Sequence, residues 1–347
     1  MRLTYVPVMT HDHERVRPGA DLIDGALEAS VLGSFSRIGF LARRSLGLFG
    51  PLERIDGRCC WITGASSGLG LTTARELAKL GARVRLVVRD AERGAEAKTR
   101  IERETGAPDV RVELCDISSL TSVRALATRI LERADPVHVL IHNAGVLPHE
   151  RRETADGIEL AFATNVLGPY LLTELLHERL RASAPARVLF VTSGGMYSER
   201  LAVDDLQSQE GRFRGPAVYA RTKRAEVAIC QEWAETLRGS GIVVHAMHPG
   251  WSDSPGIRDA LPGFSRAIGP ILRTPEQGVD TLVWLASAAQ AAATSGLLWL
   301  DRRPRPIYRL SRTRDSRVER RFLLAECARL AGLESPALAA DGGAAVG

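Results

Sequence analysis

The sequence comprises 347 residues with a formal net charge of +5, and 45% of the residues are hydrophobic while 25% are charged. This composition is that of a folded globular protein, and it excludes a largely disordered chain. No run of 18 apolar residues occurs, and charged residues 11–15 stand where a signal peptide would be apolar, so neither a membrane span nor a signal peptide is expected. Five cysteines without disulfide-framework spacing fit a reducing compartment, and we expect a cytoplasmic protein.

The first 56 residues are predicted to form an N-terminal extension. Residues 1–19 have the pattern of a solvated tail, and His11 and His13 lack further ligands nearby, so no metal site is expected. From Ala20 to Phe49, apolar residues recur at helical spacing, which predicts an amphipathic helix that ends at Gly50-Pro51. Arginines accompany this apolar stripe. The helix is expected to pack on its own domain or on a second subunit of a homo-oligomer, and docking on an anionic membrane surface is the alternative that its composition suggests.

Strands and helices then alternate up to about residue 300. Seven apolar runs have the length and the Val, Ile and Leu content of buried parallel strands, at 59–63, 84–88, 110–115, 137–142, 187–192, 242–247 and 295–299. Helical patterns lie between them, at 69–80, 90–105, 119–133, 156–182, 217–238 and 276–289. The alternation predicts an α/β fold with a doubly wound (Rossmann) parallel sheet of about seven strands, in one domain over residues 57–302.

The first predicted strand leads into a glycine-rich turn, Thr63-Gly64-Ala65-Ser66-Ser67-Gly68-Leu69-Gly70. Glycine is needed where the backbone turns sharply or lies against a phosphate, and a helix opening at about Gly68 would aim its free N–H groups at an anion. The spacing differs from the standard Gly-x-Gly-x-x-Gly fingerprint. The turn indicates a dinucleotide pyrophosphate site, although by itself it is also compatible with a tight turn that binds nothing.

The second predicted strand is followed by Arg89 and Asp90, about twenty residues past the glycine turn. An acid at this place binds the ribose 2′-hydroxyl of NAD, whereas an arginine suits the 2′-phosphate of NADP. Arg89 follows the strand directly, and Asp90 is interpreted as the N-cap of the next helix, the alternative being that it binds the ribose. We expect NADP(H) to be preferred over NAD(H).

Polar residues also follow the later strands, and parallel strands bring their carboxyl ends to one edge of the sheet. Asp116-Ile117 follows the third strand, Asn143-Ala144-Gly145 the fourth and Ser193 the fifth. Tyr219 and Lys223 are four residues apart on one predicted helix, so their side chains share a face. The ammonium group and a cationic nicotinamide would together lower the pKa of the phenol towards neutrality, where a tyrosine can act as an acid or a base. The alternative is an ordinary amphipathic helix with a lysine on its surface.

Taken in order, these motifs resemble those of the short-chain dehydrogenase/reductase family. The matching positions, over residues 57 to about 300, are Thr63-Gly64-x-x-x-Gly68-x-Gly70, Asn143-Ala144-Gly145, Asn165, Ser193, Tyr219-x-x-x-Lys223 and Pro249-Gly250. Four further stretches resemble the branch of dehydrogenase/reductase member twelve, which is related to retinol dehydrogenases: Ser193-Gly194-Gly195-Met196, Asp205-Leu206-Gln207-Ser208, His248-Pro249-Gly250-Trp251 and Asp301-Arg302-Arg303-Pro304. The resemblance implies an enzyme that transfers a hydride between nicotinamide and a carbonyl or alcohol.

The resemblance also implies a role for each matching residue. Tyr219 would be the general acid or base, Lys223 would bind the nicotinamide ribose and lower the pKa of Tyr219, Ser193 would bind the substrate oxygen, and Asn165 would hold a proton-relay water. Tyr197 also follows Ser193, but it lacks a lysine four residues later and is rejected as the catalytic tyrosine. The cofactor would be bound by Tyr219 and Lys223 and by Gly64, Ser66, Ser67, Gly68, Leu69, Gly70, Arg89, Asp116, Ile117, Asn143, Ala144, Gly145, Pro249, Gly250 and Ser254.

Two stretches depart from the commonest pattern of the family. The interval from Ser193 to Tyr219 is long, so Gly194–Val218 is expected to form an extra segment beside the pocket, and Ser254 keeps a hydroxyl where many members have a threonine. Residues 251–274 are expected to form an apolar lid over the substrate, the alternative being simple packing. An apolar lid implies a lipophilic carbonyl or alcohol as substrate.

The basic character of the chain is confined to residues 301–321, where nine arginines and three acids occur, whereas the rest of the chain sums to −1. Most of this segment belongs to a predicted basic C-terminal extension, residues 303–347, and it is a second candidate for an anionic membrane surface. A nucleic-acid-binding role is rejected because no motif of that kind accompanies the arginines. A non-catalytic NADP(H)-binding sensor or scaffold is the alternative to an enzyme, and the complete set of catalytic positions counts against it.

Overall fold

The computed structural model describes residues 17, 19–253, 263, 266 and 268–334. Its strands are β1 Cys59–Thr63, β2 Arg83–Val88, β3 Val110–Leu114, β4 Val139–His142, β5 Ala186–Val191, β6 Ile242–Met247, β7 Leu298–Leu300 and β8 Arg303–Arg305. They form one sheet in the order β3-β2-β1-β4-β5-β6-β7-β8, in which β1 to β7 are parallel and β8 is antiparallel to β7. The predicted doubly wound parallel sheet is confirmed, and β8 adds an edge strand that the sequence pattern did not indicate.

Helices cover both faces of this sheet. They are α1 Ala20–Ala29, α2 Val31–Phe35, α3 Arg37–Ser45, α4 Gly68–Lys79, α5 Ala91–Thr105, α6 Leu120–Glu132, α7 Leu160–Phe162, α8 Gly168–Leu175, α9 His177–Ala182, α10 Gly215–Thr236, α11 Pro275–Ser287 and α12 Arg317–Leu330. Successive side chains of β1 point to opposite faces, so Trp61 enters the core with α6, α8, α10 and α12, and Ile62 enters the core with α4, α5 and α11. Among the helices of the described residues, none has the length and apolarity needed to cross a membrane.

The N-terminal segment forms three short helices, so the expectation of one helix from Ala20 to Phe49 was wrong. Ser30 and Ser36 have extended backbone conformations, and the Ser30 side chain accepts a hydrogen bond from the Gly33 N–H at the start of α2. A Cβ on Gly39 would lie 1.8 Å from the Gly33 carbonyl oxygen, so α3 lies against α2 backbone to backbone. Serine side chains offer the backbone an alternative to a continuous helix, which apolar periodicity alone does not reveal.

A buried ion cluster fastens these three helices to the rest of the fold. Asp301, directly after β7 and fully buried, accepts hydrogen bonds from Arg43 at 2.7 Å and from Arg273 at 2.6 and 2.9 Å. Arg43 is itself fully buried and also pairs with Asp24 at 2.6 Å and Glu28 at 3.1 Å. The N-terminal segment therefore packs on its own domain, and Arg43, which the sequence placed near a membrane-facing stripe, is enclosed within the protein.

The arginines of residues 301–321 are largely paired inside the chain. Seven of these arginines form ion pairs with acidic residues of the chain. The arginines are Arg302, Arg303, Arg305, Arg309, Arg317, Arg320 and Arg321, and the acids are Asp21, Asp24, Glu28, Glu232, Glu235, Asp280 and Asp315. Arg312 and Arg314 are exposed and have no ion pair among the described residues. Most of the local positive charge is thus compensated by acids that are distant in sequence, and little of it remains for an external anionic surface.

We expect Asp301→Asn to lower the free energy of unfolding by about 3–5 kcal/mol, because it leaves two buried guanidinium groups without their shared carboxylate. Although burial raises the pKa of Asp301, Arg273 and Arg43 lower it below the usual carboxylate value. The contribution is therefore present at neutral pH and is lost as the pH falls through the acid range. Urea denaturation at several pH values measures both effects. Asp56→Asn, which removes an exposed pair with Arg54, should leave the stability unchanged within error, and equal losses in the two variants would refute the assignment.

Candidate active site

The glycine-rich turn lies between β1 and α4, at the carboxyl edge of the sheet. Gly64 and Gly68 have φ angles of 67° and 55°, which residues with a side chain rarely adopt. A Cβ on Gly70 would lie 2.3 Å from the Gly64 carbonyl oxygen and 2.5 Å from Asn143 Nδ2. Ser67, which precedes α4, makes no side-chain cap, so the first N–H groups of the helix have no side-chain acceptor from it. The turn, in which Ser66 and Leu69 are half-buried, provides the close backbone approach and the N–H donors that a pyrophosphate needs.

The predicted residues after β3 and β4 lie at the same edge. Thr63 Oγ1 accepts hydrogen bonds from the backbone N–H groups of Asn143 and Ala144, both at 3.0 Å, and Asn143 Nδ2 donates to the Thr63 carbonyl oxygen at 2.9 Å. Asp116 accepts from the N–H and the hydroxyl of Ser118 at 2.9 and 2.7 Å, and Ile117 beside it is buried. These hydrogen bonds hold the loops after β1, β3 and β4 in fixed positions around one cleft edge.

Arg89 and Asp90 differ in what they contact. The Asp90 side chain accepts from the Arg93 N–H at 3.1 Å and caps α5, in keeping with its interpretation as an N-cap. Arg89 is exposed and has no hydrogen bond or ion pair within the part of the chain that the structure describes. Its guanidinium group is therefore available to an anion at the carboxyl end of β2.

Ser193, Tyr219 and Lys223 come together at the start of α10. Lys223 Nζ lies 5.6 Å from the centroid of the Tyr219 ring, and the Ser193 side chain is close enough to Tyr219 to influence the pKa of its phenol. Burial raises the pKa of Tyr219, while the positive charge of Lys223 and the Ser193 side chain act in the opposite direction. The net effect is a raised pKa, so these residues alone do not produce the lowered value that the sequence predicted.

Lys223 also has two buried partners that the sequence analysis missed. Its Nζ donates to the Val191 carbonyl oxygen at 2.9 Å and to Glu226 Oε1 at 2.6 Å. Glu226 is buried, and burial raises its pKa to about 7 although Lys223 opposes the rise. The sequence held one signal of this contact, a lone carboxylate three residues after Lys223 within the apolar run 225–229.

Asn165 lies in a π-helical turn between α7 and α8, a distortion that is common at functional sites. Its Oδ1 accepts from the Val146 N–H at 2.8 Å, and its Nδ2 donates to the Val146 carbonyl oxygen at 3.1 Å and to Thr222 Oγ1 at 2.8 Å. A Cβ on Gly145 would lie 3.3 Å from Lys223 Nζ and 3.4 Å from Asn165 Oδ1, so these three residues are in close contact. Both Nδ2 protons are used, so a water held by Asn165 would have to bind the second lone pair of Oδ1.

The N-terminal segment contributes Phe35 to the other side of the site. The Trp251 N–H donates to the Phe35 carbonyl oxygen at 2.8 Å, just after Pro249-Gly250. A Cβ on Gly194 would lie 2.4 Å from the Phe35 ring, so this ring rests on the residue after Ser193. This contact was not predictable from the sequence, because nothing in the N-terminal segment indicates which part of its own domain it packs on. Ser254 and half of the predicted lid, residues 254–262, 264, 265 and 267, lie outside the described residues.

Tyr197, the rejected alternative to Tyr219, has a structural role. Its hydroxyl donates to the Pro306 carbonyl oxygen at 2.8 Å, and burial raises its pKa to about 12. Its ring lies near Phe35 and His248, with centroid distances of 6.3 and 6.1 Å. Tyr197 therefore joins the segment after β8 to the wall of the site, and its proton is committed to a backbone acceptor.

The sequence profile described as short chain dehydrogenase matches residues 58–261. Among curated proteins, the chain is 41% identical over 273 residues to Dehydrogenase/reductase SDR family member 12 of Bos taurus, a match that covers 78% of this chain and 85% of that protein. It is 36% identical over 295 residues to Retinol dehydrogenase 13 of Homo sapiens, with 82% and 87% covered. The matched profile begins at the strand before the glycine turn and leaves α1–α3 and α12 outside.

Solved structures with similar folds include the two described here. An uncharacterised protein from Mycobacterium Paratuberculosis superposes with a TM-score of 0.67 at 30% identity, covering 82% of this chain and 97% of that one. Pseudomonas aeruginosa RhlG, solved as an active-site complex with NADP, superposes with a TM-score of 0.59 at 27% identity, covering 72% and 96%. Both similarities cover more than two thirds of this chain.

Proposed function

Since the chain belongs to the short-chain dehydrogenase/reductase family, and is thus an NAD(P)-dependent oxidoreductase, we propose that it interconverts a lipophilic carbonyl compound and its alcohol with NADP(H). The observation that carries this proposal is the contact of Ser193, Tyr219 and Lys223 beside the glycine turn. The Phe35 ring lies against Gly194, and the Trp251 ring lies 6.1 Å from the Phe35 ring, so two aromatic side chains at this side of the site favour an apolar substrate. The name of one relative refers to retinol, a lipophilic alcohol.

The residues present fit a dinucleotide cofactor with a 2′-phosphate. Gly64 and Gly70 form a cradle in which a Cβ would collide with backbone or side-chain atoms, and the N-terminus of α4 adds N–H donors. The unpaired Arg89 would hold the 2′-phosphate, and Asp116-Ile117 and Pro249-Gly250 would contact the adenosine and nicotinamide ends, as in the family. When bound, nicotinamide supplies the group that gives or takes the hydride.

Each catalytic residue has a defined task in this proposal. Tyr219 donates its phenolic proton to the substrate oxygen during reduction and accepts a proton from the hydroxyl during oxidation. Ser193 binds the same oxygen and keeps it next to the phenol. Lys223 carries a positive charge that favours the tyrosinate left after proton transfer, and its remaining N–H is available to the ribose.

We also propose that an apolar face on α1–α3 docks on an anionic membrane. Its side chains have exposed fractions between 45% and 82%, and they are Leu22, Ile23, Val31, Leu32, Ile38 and Leu41. Arg37 and Arg44 on the same helices are exposed and have no ion pair among the described residues. Apolar side chains flanked by arginines are the composition of a helix face that lies in a membrane interface, where a lipophilic substrate would be concentrated.

We expect Tyr219→Phe to lower kcat/KM about 10²- to 10⁴-fold while leaving the Kd for NADPH nearly unchanged, because only the transferable proton is removed. Lys223→Met should lose activity and part of the NADPH affinity. The assay follows NADPH oxidation with retinal, a steroid ketone and a medium-chain aldehyde, and fluorescence titration gives the Kd. A Tyr219→Phe rate above about a tenth of wild type would remove the tyrosine from the mechanism. NADPH binding without turnover of any carbonyl by the wild-type protein would favour the sensor alternative.

We expect Arg89→Ala to reduce the preference for NADPH over NADH by about ten- to a hundredfold, because a charge-assisted hydrogen bond contributes about 1.5–3 kcal/mol. The two Kd values, measured by fluorescence for each variant, give the preference directly. Asp90→Ser is the matched control, since serine keeps the helix cap and removes the acid. It should leave the preference unchanged. A change with Asp90→Ser and none with Arg89→Ala would show that the acid governs this end of the cofactor.

We expect full-length protein to sediment with anionic phosphatidylserine vesicles at low salt, and Leu32→Glu combined with Ile38→Glu to release it. Point substitutions are preferred to deletion of the segment, because deletion would also remove Arg43 from the buried ion cluster. Val318→Glu, which changes an exposed apolar residue on α12, is the control and should still sediment. Protein that stays in the supernatant would contradict the proposal. A concentration-dependent dimer abolished by the same double substitution would assign the face to a second copy of the chain.

A further inference from the structure

Lys223 and Glu226 form an ion pair that is closed off from solvent. The exposed fractions of the two side chains are 3% and 2%, and Nζ lies 2.6 Å from Oε1. Helix α10 brings residues three apart to one face, and the Val191 carbonyl oxygen at the end of β5 takes a second ammonium proton at 2.9 Å. An ammonium group has three N–H donors, so these two contacts fix its position and leave one donor for another partner.

The ion pair changes the charge to which Tyr219 is exposed. Lys223 without a partner would present its full positive charge to the phenol, whereas an ionised Glu226 opposes much of that charge. Beyond the effect of burial, which raises the pKa of Tyr219, Lys223 lowers it and Glu226 raises it. A buried carboxylate at this place therefore makes the phenol less acidic than the family's tyrosine and lysine alone would make it.

We propose that Glu226 is a positioning residue of the active site, which holds the Lys223 ammonium group at the end of β5 and sets the electrostatic field at the Tyr219 hydroxyl. The inference rests on the proposed function, since it concerns the lysine of that same site. Glu226 Oε2 has no hydrogen-bond partner in the described part of the chain. A buried carboxylate with an unpaired oxygen takes up a proton readily, so Glu226 can change its charge near neutral pH.

The other groups around the pair do not replace this function. On β4, His142 donates to or accepts from Thr173 Oγ1 at 2.8 Å, and burial together with the charge of Lys223 lowers its pKa to about 3, so it is neutral near pH 7. After β5, the Thr192 hydroxyl donates to the Lys223 carbonyl oxygen at 2.7 Å. On α10 itself the titrating neighbours are Lys223 and Tyr219. Of these groups with Glu226, only Glu226 supplies a negative charge below the pKa of the phenol, and it does so when it is ionised.

The experiment measures the titration of the phenol at position 219 in the cofactor-free protein. Fluorotyrosine at this position is more acidic than tyrosine and gives a ¹⁹F NMR signal that reports on this site alone. Glu226→Gln keeps the shape of the side chain and removes its charge, so we expect the pKa of this phenol to fall by about one unit. Glu226→Asp keeps the charge on a shorter side chain, so the pKa of the phenol in this variant should lie close to the wild-type value.

Glu232→Gln is the matched control, because Glu232 is a buried acid on the same helix that pairs with Arg320 instead of Lys223. This variant should leave the titration at position 219 unchanged even if it destabilises the fold. An unchanged titration in a folded Glu226→Gln protein, or an equal shift in Glu232→Gln, would overturn the inference. Should Glu226→Gln fail to fold, Glu226→Ala decides, since it also removes the charge and the same fall in the pKa of the phenol is expected, whereas an unchanged pKa contradicts the inference.

NADPH affinity gives a second readout that separates this inference from the proposed function. Removing the negative charge that pairs with Lys223, the residue proposed to bind the ribose, should leave the Kd of Glu226→Gln equal to that of wild type or tighten it a few-fold. A role limited to stability predicts weaker binding and no change in the titration. If wild-type protein does not bind NADPH, the proposed function fails, and the titration still decides the part played by Glu226.

Discussion

The carboxylate of Asp301 is the interaction on which the arrangement of the molecule outside its central sheet depends. It joins Arg43 from the N-terminal helices and Arg273 from the last residues of the predicted lid. Arg273 in turn donates to the carbonyl oxygens of Ser34 and Phe35. The ion pair between Arg273 and Asp301, more than two hundred residues after Phe35 in sequence, thus holds the Phe35 backbone in place. As a result, the Phe35 ring lies against Gly194 and His248. One wall of the site is thus supported by charge, although its surface is apolar.

The two halves of the site are built by different physical means. The cofactor side depends on the absence of side chains. A Cβ on Gly64 would collide with Ala144, and a Cβ on Gly70 would collide with Gly64 and Asn143. The catalytic side depends on buried charge, because the Lys223 ammonium group donates a hydrogen bond to the Glu226 carboxylate and both side chains are buried away from water. The steric requirement for glycine leaves a recognisable motif in the sequence. The coupling between Lys223 and Glu226 leaves none, because it depends on which face of the helix is buried.

This difference explains how much the sequence could predict. Strands β1 to β7 and the polar residues after them were predictable because apolar runs and strand-end motifs are local. Strand β8 was not, since Arg303-Pro304-Arg305 has no strand pattern and becomes a strand only by pairing with β7. The arginines of residues 301–321 suggested an external anion, and only the fold shows that acids such as Asp24 and Glu232 neutralise them. Glu226 resembled an ordinary helix residue until its burial was known.

The long sequence separation within the ion cluster has a consequence for biosynthesis. Asp24 leaves the ribosome early, but its partner Arg305 is 281 residues further along the chain. At about 5–20 residues per second, the N-terminal helices wait roughly 14–56 s before their partners are translated. During that interval Phe35, Phe40 and Arg43 lack at least part of the residues that bury them in the folded protein. This segment therefore reaches its native contacts only after the chain has been translated as far as Arg305.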